Sequence, residues 1–315
     1  MEKKEWTGLF LACASALVGA ALLLCPFGSA EMDALIAEKE GWALVRGAEM
    51  EKGQTVTVAR QQYLQGSLML VSPRHPLPED YPAPDVRTVH AVAGNFVPAA
   101  RETALRAEVI YALCRMQLDR SMLGQAAVGR GAVSYAQQEA QRKEAFARYA
   151  QVYPLQEAVN KAAAAVPGGM ESEHRTGYAL DMELQGALAL KEENPLYRNE
   201  AGAWIGENMW RYGLIQRYAP GAWEEGSCEG VHLRYVGLAH AAAMRTLGVG
   251  LEDYLLLLHR EGECTLLRDG KPYAYLFCVP EAAFVTFQAP QGAAIEVSGD
   301  NAGYVVAAVA AQRRF

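Results

Sequence analysis

Apolar positions along this chain change spacing several times, and each change predicts a different element. Residues 8–25, GLFLACASALVGAALLLC, carry no charge and follow Glu2-Lys3-Lys4-Glu5. The run is slightly long for the apolar part of a signal peptide and slightly short for a comfortable membrane span. Gly28-Ser29-Ala30 offers a small-residue cleavage site, so residues 1–30 read as a signal peptide or a membrane anchor. Either places the remainder outside the cytoplasm, at the cell surface, secreted or anchored. Residues 31–66 are of mixed character and carry no motif. Pro73, Pro76, Pro78, Pro82 and Pro84 then mark an extended, turn-rich entry into the main domain.

Helical spacing follows. From Arg101 to Gln117, Leu105, Val109, Ala112, Leu113 and Met116 describe one face of a helix. Ser134-Tyr135-Ala136-Gln137 reads as a capping box opening a helix that runs toward Pro154, and a second, alanine-rich helix ends at Pro167-Gly168-Gly169. Further helices are expected in LAHAAAMRTLG after Gly237 and around Leu251–Leu255. Between these, Leu180, Met182 and Leu184 alternate with Asp181 and Glu183. That period of two predicts a strand with its leucines and methionine in a core and Asp181 on the other face. His232 and Arg234 share one face of a second strand in the same way. The last stretch changes style again: CTLLRDGKPYAYLFCV, AAFVTFQA and AAIEVSGDNAGYVVAAV are aromatic and β-branched runs separated by turn residues, a small all-β appendage.

Two short segments concentrate the candidate chemistry. Ser172-Glu173-His174-Arg175-Thr176-Gly177-Tyr178-Ala179-Leu180-Asp181 and Glu229-Gly230-Val231-His232-Leu233-Arg234-Tyr235-Val236-Gly237 together offer two histidines, an aspartate and a glutamate. A catalytic zinc site uses such a set: three protein ligands, an open position for water, and a carboxylate to take its proton. His75, His90, His240 and His259 stand alone and read as structural. Glu173 and Glu183 read as solvated surface charge. S-x-x-K, G-x-S-x-G and H-E-x-x-H are all missing from the sequence, which removes the usual serine and thermolysin-like hydrolase routes.

Composition adds limits. A net charge of −7 over 315 residues, with no basic stripe, argues against nucleic acid as a partner. Of the six cysteines, Cys13 and Cys25 lie in the apolar run, and Cys114, Cys228, Cys264 and Cys278 form no C-x-x-C pair, so no zinc ribbon is indicated. Cys264 and Cys278 flank the hairpin turn Arg268-Asp269-Gly270-Lys271, as a disulfide or as isolated thiols.

The two segments fit S-x-H-x-x-G-x-A-x-D and E-x-x-H-x-R-Y-V-G, and in them the chain resembles the VanY-type zinc D-alanyl-D-alanine carboxypeptidases. His75-Pro76-Leu77-Pro78-Glu79-Asp80-Tyr81 is similar to that family's opening segment. Glu207 to Tyr218, ENMWRYGLIQRY, is similar to its helix and strand between the two metal motifs. The resemblance implies an α+β fold, a small antiparallel sheet packed by helices, over residues 67–258, with 259–315 as a β-rich module beyond it. It implies zinc bound by His174, Asp181 and His232, with Glu229 as general base. Ser172, Gln138 and an arginine would bind substrate, and the substrate would be the D-Ala-terminated stem peptide of peptidoglycan.

Three departures stand out. Gly230-Val231 replaces the family's Pro-Trp, and Arg175 replaces a Gln. In the S-x-Y-R-S-x-x-x-Q element, aligned on Ser134-Tyr135 and Gln138, Val133 occupies the arginine's place. Arg130, three residues earlier, is the candidate to replace it, ahead of Arg175 and of Arg120, which precedes Ser121 and Gln125 but comes too early in the order. On a regular strand Arg130 falls on the opposite face, and it reaches the site if Gly129 and Gly131 bend the backbone. Beside the D,D-carboxypeptidase reading stand a D,D-dipeptidase, an L,D-carboxypeptidase and, in another class, a peptidoglycan-binding or sensing protein without turnover.

Overall fold

The computed structural model describes residues 34–47, 50, 53–185, 195–218 and 231–311. It divides the chain into Met1–Leu35, of which only residues 34 and 35 are described, and a unit from Ile36 to Phe315 that concerns the rest of this section. The apolar run at 8–25 and the site at Gly28–Ala30 lie outside the described residues. Among the described residues no helix is long and apolar enough to cross a membrane.

Strands in chain order are β1 (Leu35–Lys39), β2 (Trp42–Arg46), β3 (Gln54–Ala59), β4 (Arg87–Thr88), β5 (Ala104–Leu105), β6 (Ala126–Arg130), β7 (Ala179–Leu184), β8 (Leu214–Gln216) and β9 (Val231–Tyr235). After these come β10 (Glu263–Arg268), β11 (Lys271–Pro280), β12 (Phe284–Ala289), β13 (Ile295–Gly299) and β14 (Tyr304–Ala310). Helices are α1 (Arg60–Tyr63), α2 (Val89–Ala93), α3 (Ala107–Asp119), α4 (Tyr135–Tyr149), α5 (Leu155–Ala165), α6 (Glu200–Asn208), α7 (Leu238–Leu247) and α8 (Leu251–Glu261). The α+β class expected from the sequence is the class observed.

The functional sheet has the order β6-β7-β9-β8, all antiparallel. Its alternation is the one read in the sequence. Leu180 and Met182 pack with Val128, Val231 and Leu233 against Ile110, Leu113 and Met116 of α3 and Ile205 of α6. Asp181 and His232, on the other face, are therefore turned away from those helices. The capping box forms as predicted: Ser134 Oγ accepts from the Gln137 N–H, and Gln137 Oε1 accepts from the Ser134 N–H. Such a cap contributes about 1 kcal/mol and fixes where α4 begins, directly after the functional strand β6.

The C-terminal strands form where expected, but not as a separate appendage. They interleave with the segment before residue 66 in a six-stranded sheet of order β1-β2-β10-β11-β14-β13, and β12 pairs with β3. One face of that larger sheet buries Leu266, Leu276 and Val306 against Leu255 and Leu258 of α8 and the alanine-rich side of α7. Burying side chains of this size contributes roughly 1.5–3 kcal/mol each. Leu44, Leu68 and Leu70, the C-terminal strands and the helices after the second metal motif thus share one core. The β10–β11 turn places Asp269 at φ +50° and Gly270 at φ +73°, the left-handed pair that a tight hairpin needs. Cys264 faces Leu276 in register, not Cys278, and both are free thiols that burial pushes up to about 12.

His240 is structural, as expected: the Tyr254 hydroxyl donates to its Nδ1 at 2.7 Å, and burial pushes the imidazole down to about 3. His259 likewise pairs with the buried Asp300 and stacks on Tyr304.

Glu296 on β13 sits against the backbone of Gly237, where a Cβ would meet its Oε2 at 2.3 Å. Burial, and next the Glu108 charge, push the Glu296 carboxyl up to about 7. A carboxyl raised in the folded state loses stability as pH climbs from its ordinary range through 7. Glu296→Gln, which copies the protonated form, is therefore expected to add about 1–2 kcal/mol at pH 8 and almost nothing at pH 4, as read by denaturant unfolding at the two pH values.

Candidate metal centre

His174 is set by a single 3-10 turn, Glu173–Thr176, with Ser172 as the buried residue before it. Thr176 Oγ1 donates to the Glu173 carbonyl, and the Arg106 guanidinium donates to the Thr176 carbonyl. The turn ends at Gly177 in the left-handed region, φ +75°, where a Cβ would lie 2.8 Å from Val86. This is the physical reason for the glycine in the first motif: the chain must reverse there to enter β7.

Asp181 and His232 face each other across the β7–β9 register. The ligating atoms of His174, Asp181 and His232 lie within 4.8 Å of one another, and all three residues are buried. Asp181 Oδ2 is 3.2 Å from His174 Nε2, and Asp181 Oδ1 is 2.7 Å from His232 Nδ1. The two rings meet edge to face at 5.0 Å. Their outer nitrogens are engaged as well. His174 Nδ1 donates to the Gly131 carbonyl at 2.8 Å, and His232 Nε2 donates to Glu173 Oε2 at 3.1 Å. Each imidazole therefore aims its remaining nitrogen at the point beside Asp181. Metal-binding histidines are oriented by outer hydrogen bonds of this kind.

Glu173 is not solvated surface charge. It is 3% exposed. The Arg217 guanidinium donates to its Oε1 at 2.7 Å, and Arg234, fully buried, lies 3.4 Å from the same oxygen. Arg217 in turn grips Glu252 of α8 with two hydrogen bonds. Burial works to raise the Glu173 carboxyl, but the two guanidiniums and His232 outweigh it and hold it well below the carboxylate range. The sequence reading missed this support because its partners are distant along the chain. The only local signal was a charge inside an otherwise buried turn. Glu183 is exposed, as expected.

Burial also works to raise Asp181, and His174 and His232 hold it far below the usual range. Burial lowers His174, against the pull of Asp181. For His232, burial is outweighed by hydrogen bonds to Asp181 and Glu173, which push it up to about 9. A metal ion must displace the His232 proton, so uptake at pH 7 is expected to release about one proton. Affinity should fall roughly tenfold for each pH unit below about 9. Calorimetric titration in buffers of different ionisation enthalpy reads both, and uptake without proton release would contradict the arrangement.

Arg130 reaches this face. The β6–β7 register shifts between Val128 and Arg130, and Arg130 comes to lie opposite Asp181. Arg130, Asp181 and His232 thus form a row across three strands. The bend needs both glycines: a Cβ on Gly129 would lie 2.3 Å from Glu183, and one on Gly131 would lie 2.3 Å from the Ala104 carbonyl. Arg130 donates to Gln138 at 2.7 Å and to Gln141 at 2.6 Å. Gln138 is fully buried and spends its amide N–H on the Pro167 carbonyl, so it orients Arg130 instead of meeting a ligand. Arg175 turns aside to the Gly169 carbonyl and the Tyr135 ring. Glu229 lies outside the described residues.

The D-alanyl-D-alanine carboxypeptidase family VanY matches residues 103–238. A D-alanyl-D-alanine carboxypeptidase of Enterococcus faecium is 26% identical over 266 residues, 82% of this chain and 80% of that protein. One from Enterococcus faecalis is 40% identical over 93 residues, covering 29% of this chain and 31% of its own length. Among solved structures, the vancomycin-resistance D,D-dipeptidase VanXYg, in complex with a D-Ala-D-Ala phosphinate analogue, superposes with a TM-score of 0.65 at 19% identity, over 82% of this chain and 98% of that one. That last likeness is one of fold.

Proposed function

We propose, from the premise that this chain belongs through residues 103–238 to the VanY-type D,D-peptidase family, that it is an exported zinc-dependent carboxypeptidase. Its substrate would be a peptidoglycan stem peptide, from which it removes the terminal D-alanine. The observation that carries the reading is the convergence of His174, Asp181 and His232, each imidazole with its outer nitrogen committed. Export rests on the apolar run and small-residue site at residues 8–30.

Two neutral imidazoles and one carboxylate fit zinc, which takes such sets in hydrolases and keeps one position open. When bound, the ion supplies Lewis acidity toward water and toward a carbonyl. The chain's own residues do the remaining work. Asp181 supplies the negative charge of the ligand set. Glu173, clamped by Arg217 and Arg234, holds the His232 Nε2–H and fixes its tautomer. Glu229, three residues before His232, takes the proton of the attacking water and returns it to the leaving amine.

Arg130 meets the remaining need. A terminal carboxylate asks for a guanidinium that can bind both oxygens, and the bulge brings one beside Asp181. The alternative of a binding protein without turnover rested on Val133, and Arg130 opposite Asp181 favours the peptidase reading over it. Arg130→Ala is expected to raise the Michaelis constant and lower the rate together, a loss of about 2–4 kcal/mol in kcat/KM, with metal content unchanged.

The function itself is tested by mass spectrometry of defined tri-, tetra- and pentapeptide muropeptides, and of D-Ala-D-Ala, after incubation with metal-loaded protein. Loss of one D-alanine from the pentapeptide supports the reading. Cleavage confined to the tetrapeptide or the dipeptide would reassign it to an L,D-carboxypeptidase or a D,D-dipeptidase. A metal-loaded protein inert on all four substrates would sink it.

A further inference from the structure

A cavity of about 530 Å³ opens where the β1–β2 hairpin, the turn Met209–Tyr212 and the β10–β11 hairpin meet helices α3 and α7. Its volume falls in the range of small-molecule sites, ~300–1,000 Å³. It shares no lining residue with the metal cluster. Helix α3, which contributes Arg115, packs on the face of the functional sheet opposite to His232. The cavity is therefore not an extension of the peptidase cleft.

Its walls combine aromatic rings with cations. Trp42 meets Trp210 edge to face at 5.8 Å and Tyr273 at 4.9 Å, with the Arg268 guanidinium 5.4 Å from the Trp42 ring, which leaves a stepped aromatic wall instead of a closed stack. The carboxylates there are partly spoken for: Asp119 accepts from the Tyr212 hydroxyl, Glu40 pairs with Arg245, and Asp269 lies 3.8 Å from Arg268. Arg115 and Arg211 differ. Both are exposed, and neither makes a hydrogen bond or an ion pair among the described residues. Arg211 lies over the Trp210 ring at 5.3 Å and Arg115 over Tyr212 at 5.9 Å. An exposed cation–π contact is weaker than a hydrogen bond to a charged group, so both guanidiniums gain by turning to an anion.

We infer that this cavity is a non-catalytic binding site for a saccharide bearing a carboxylate. The aromatic wall takes the apolar C–H face of a pyranose ring, Arg115 and Arg211 take the carboxylate, and Asp119 and Asp269 accept from hydroxyls. A simple phosphate would use the arginines and leave the rings idle. A neutral sugar would use the rings and leave two guanidiniums unsatisfied. The inference stands apart from the peptidase assignment, since the two sites share no residue.

The test is tryptophan fluorescence titration of the full chain with three probes: the N-acetylglucosamine–N-acetylmuramic acid disaccharide with its free lactyl carboxylate, neutral N,N′-diacetylchitobiose, and inorganic phosphate. The acidic disaccharide should bind at least ~10-fold more tightly than either control. The Arg115→Ala/Arg211→Ala variant should lose that advantage while its muropeptide hydrolysis is unchanged. Both arginines are exposed, so the variant should fold, and circular dichroism checks this. Asp181→Ala protein should bind the disaccharide as the parent does, which separates this site from the metal centre. No quenching up to ~10 mM, equal binding of chitobiose or phosphate, or an unaffected double variant would each overturn the inference.

Discussion

Asp181→Ala is expected to strip the protein of its metal and abolish hydrolysis while leaving the fold standing. Asp181 is the charged member of the donor set and touches both imidazoles, His174 at 3.2 Å and His232 at 2.7 Å. Without it, two neutral donors remain, and the negative charge that offsets a divalent cation is gone. Loss of an outer hydrogen-bond partner already costs ~10–100-fold in metal affinity, so loss of a ligand should exceed ~100-fold. Metal content after dialysis should drop from ~1 per chain to a trace. The fold should survive because Leu180 and Met182, on the other face of β7, carry its packing. The metal-free variant should also show a His232 imidazole that titrates lower than in the metal-free parent, since one of the two acceptors that raised it has been removed. A variant that keeps its metal after dialysis would remove Asp181 from the ligand set.

Glu229→Gln is expected to do the reverse: metal retained, turnover lost. Glutamine keeps the shape of the side chain and cannot take a proton. The rate should fall by at least ~10², the contribution of general acid–base catalysis. The acid limb of the pH–rate profile should disappear with it, because that limb reports the base. Glu173, the carboxylate that holds His232 Nε2, cannot inherit the role. Its oxygens are held by Arg217 and by His232, and its carboxyl lies too low to accept a proton near neutrality. Activity retained in the Gln variant, with zinc still bound, would move the base outside both motifs.

The contrast between His174 and Glu173, neighbours in the chain, shows what could be read in the sequence. His174, Asp181 and His232 stood out because strand alternation and motif spacing are local properties. Four residues on one strand determine which side chains oppose the core, and a glycine after the turn announces a reversed backbone. For the same reason the capping box at Ser134 and the Asp269-Gly270 hairpin were legible residue by residue. Glu173 was not. Whether a carboxylate is solvated or clamped depends on where Arg217, Arg234 and Glu252 arrive, and those lie 44 to 79 positions further along.

Arg130 marks the boundary between the two kinds of knowledge. Its flanking glycines allowed a bend, but a glycine permits a conformation without requiring it. The one-residue shift opposite Asp181 is decided by the β6–β7 pairing, with Glu183 and the Ala104 carbonyl filling the space that side chains at 129 and 131 would need. The terminal strands make the same point on a larger scale. Their β character was plain from composition and turn residues, yet their partners were not. Hydrogen bonding between β2 and β10 joins residues more than two hundred positions apart, and no period in the chain encodes such a pairing. By itself the sequence determined the elements, the faces they present and the residues able to hold a metal. The tertiary structure alone decided which charges are buried together, which arginine lies opposite Asp181, and that strands near residue 40 join those after residue 263 in a single sheet, because burial and strand pairing are properties of neighbours in space.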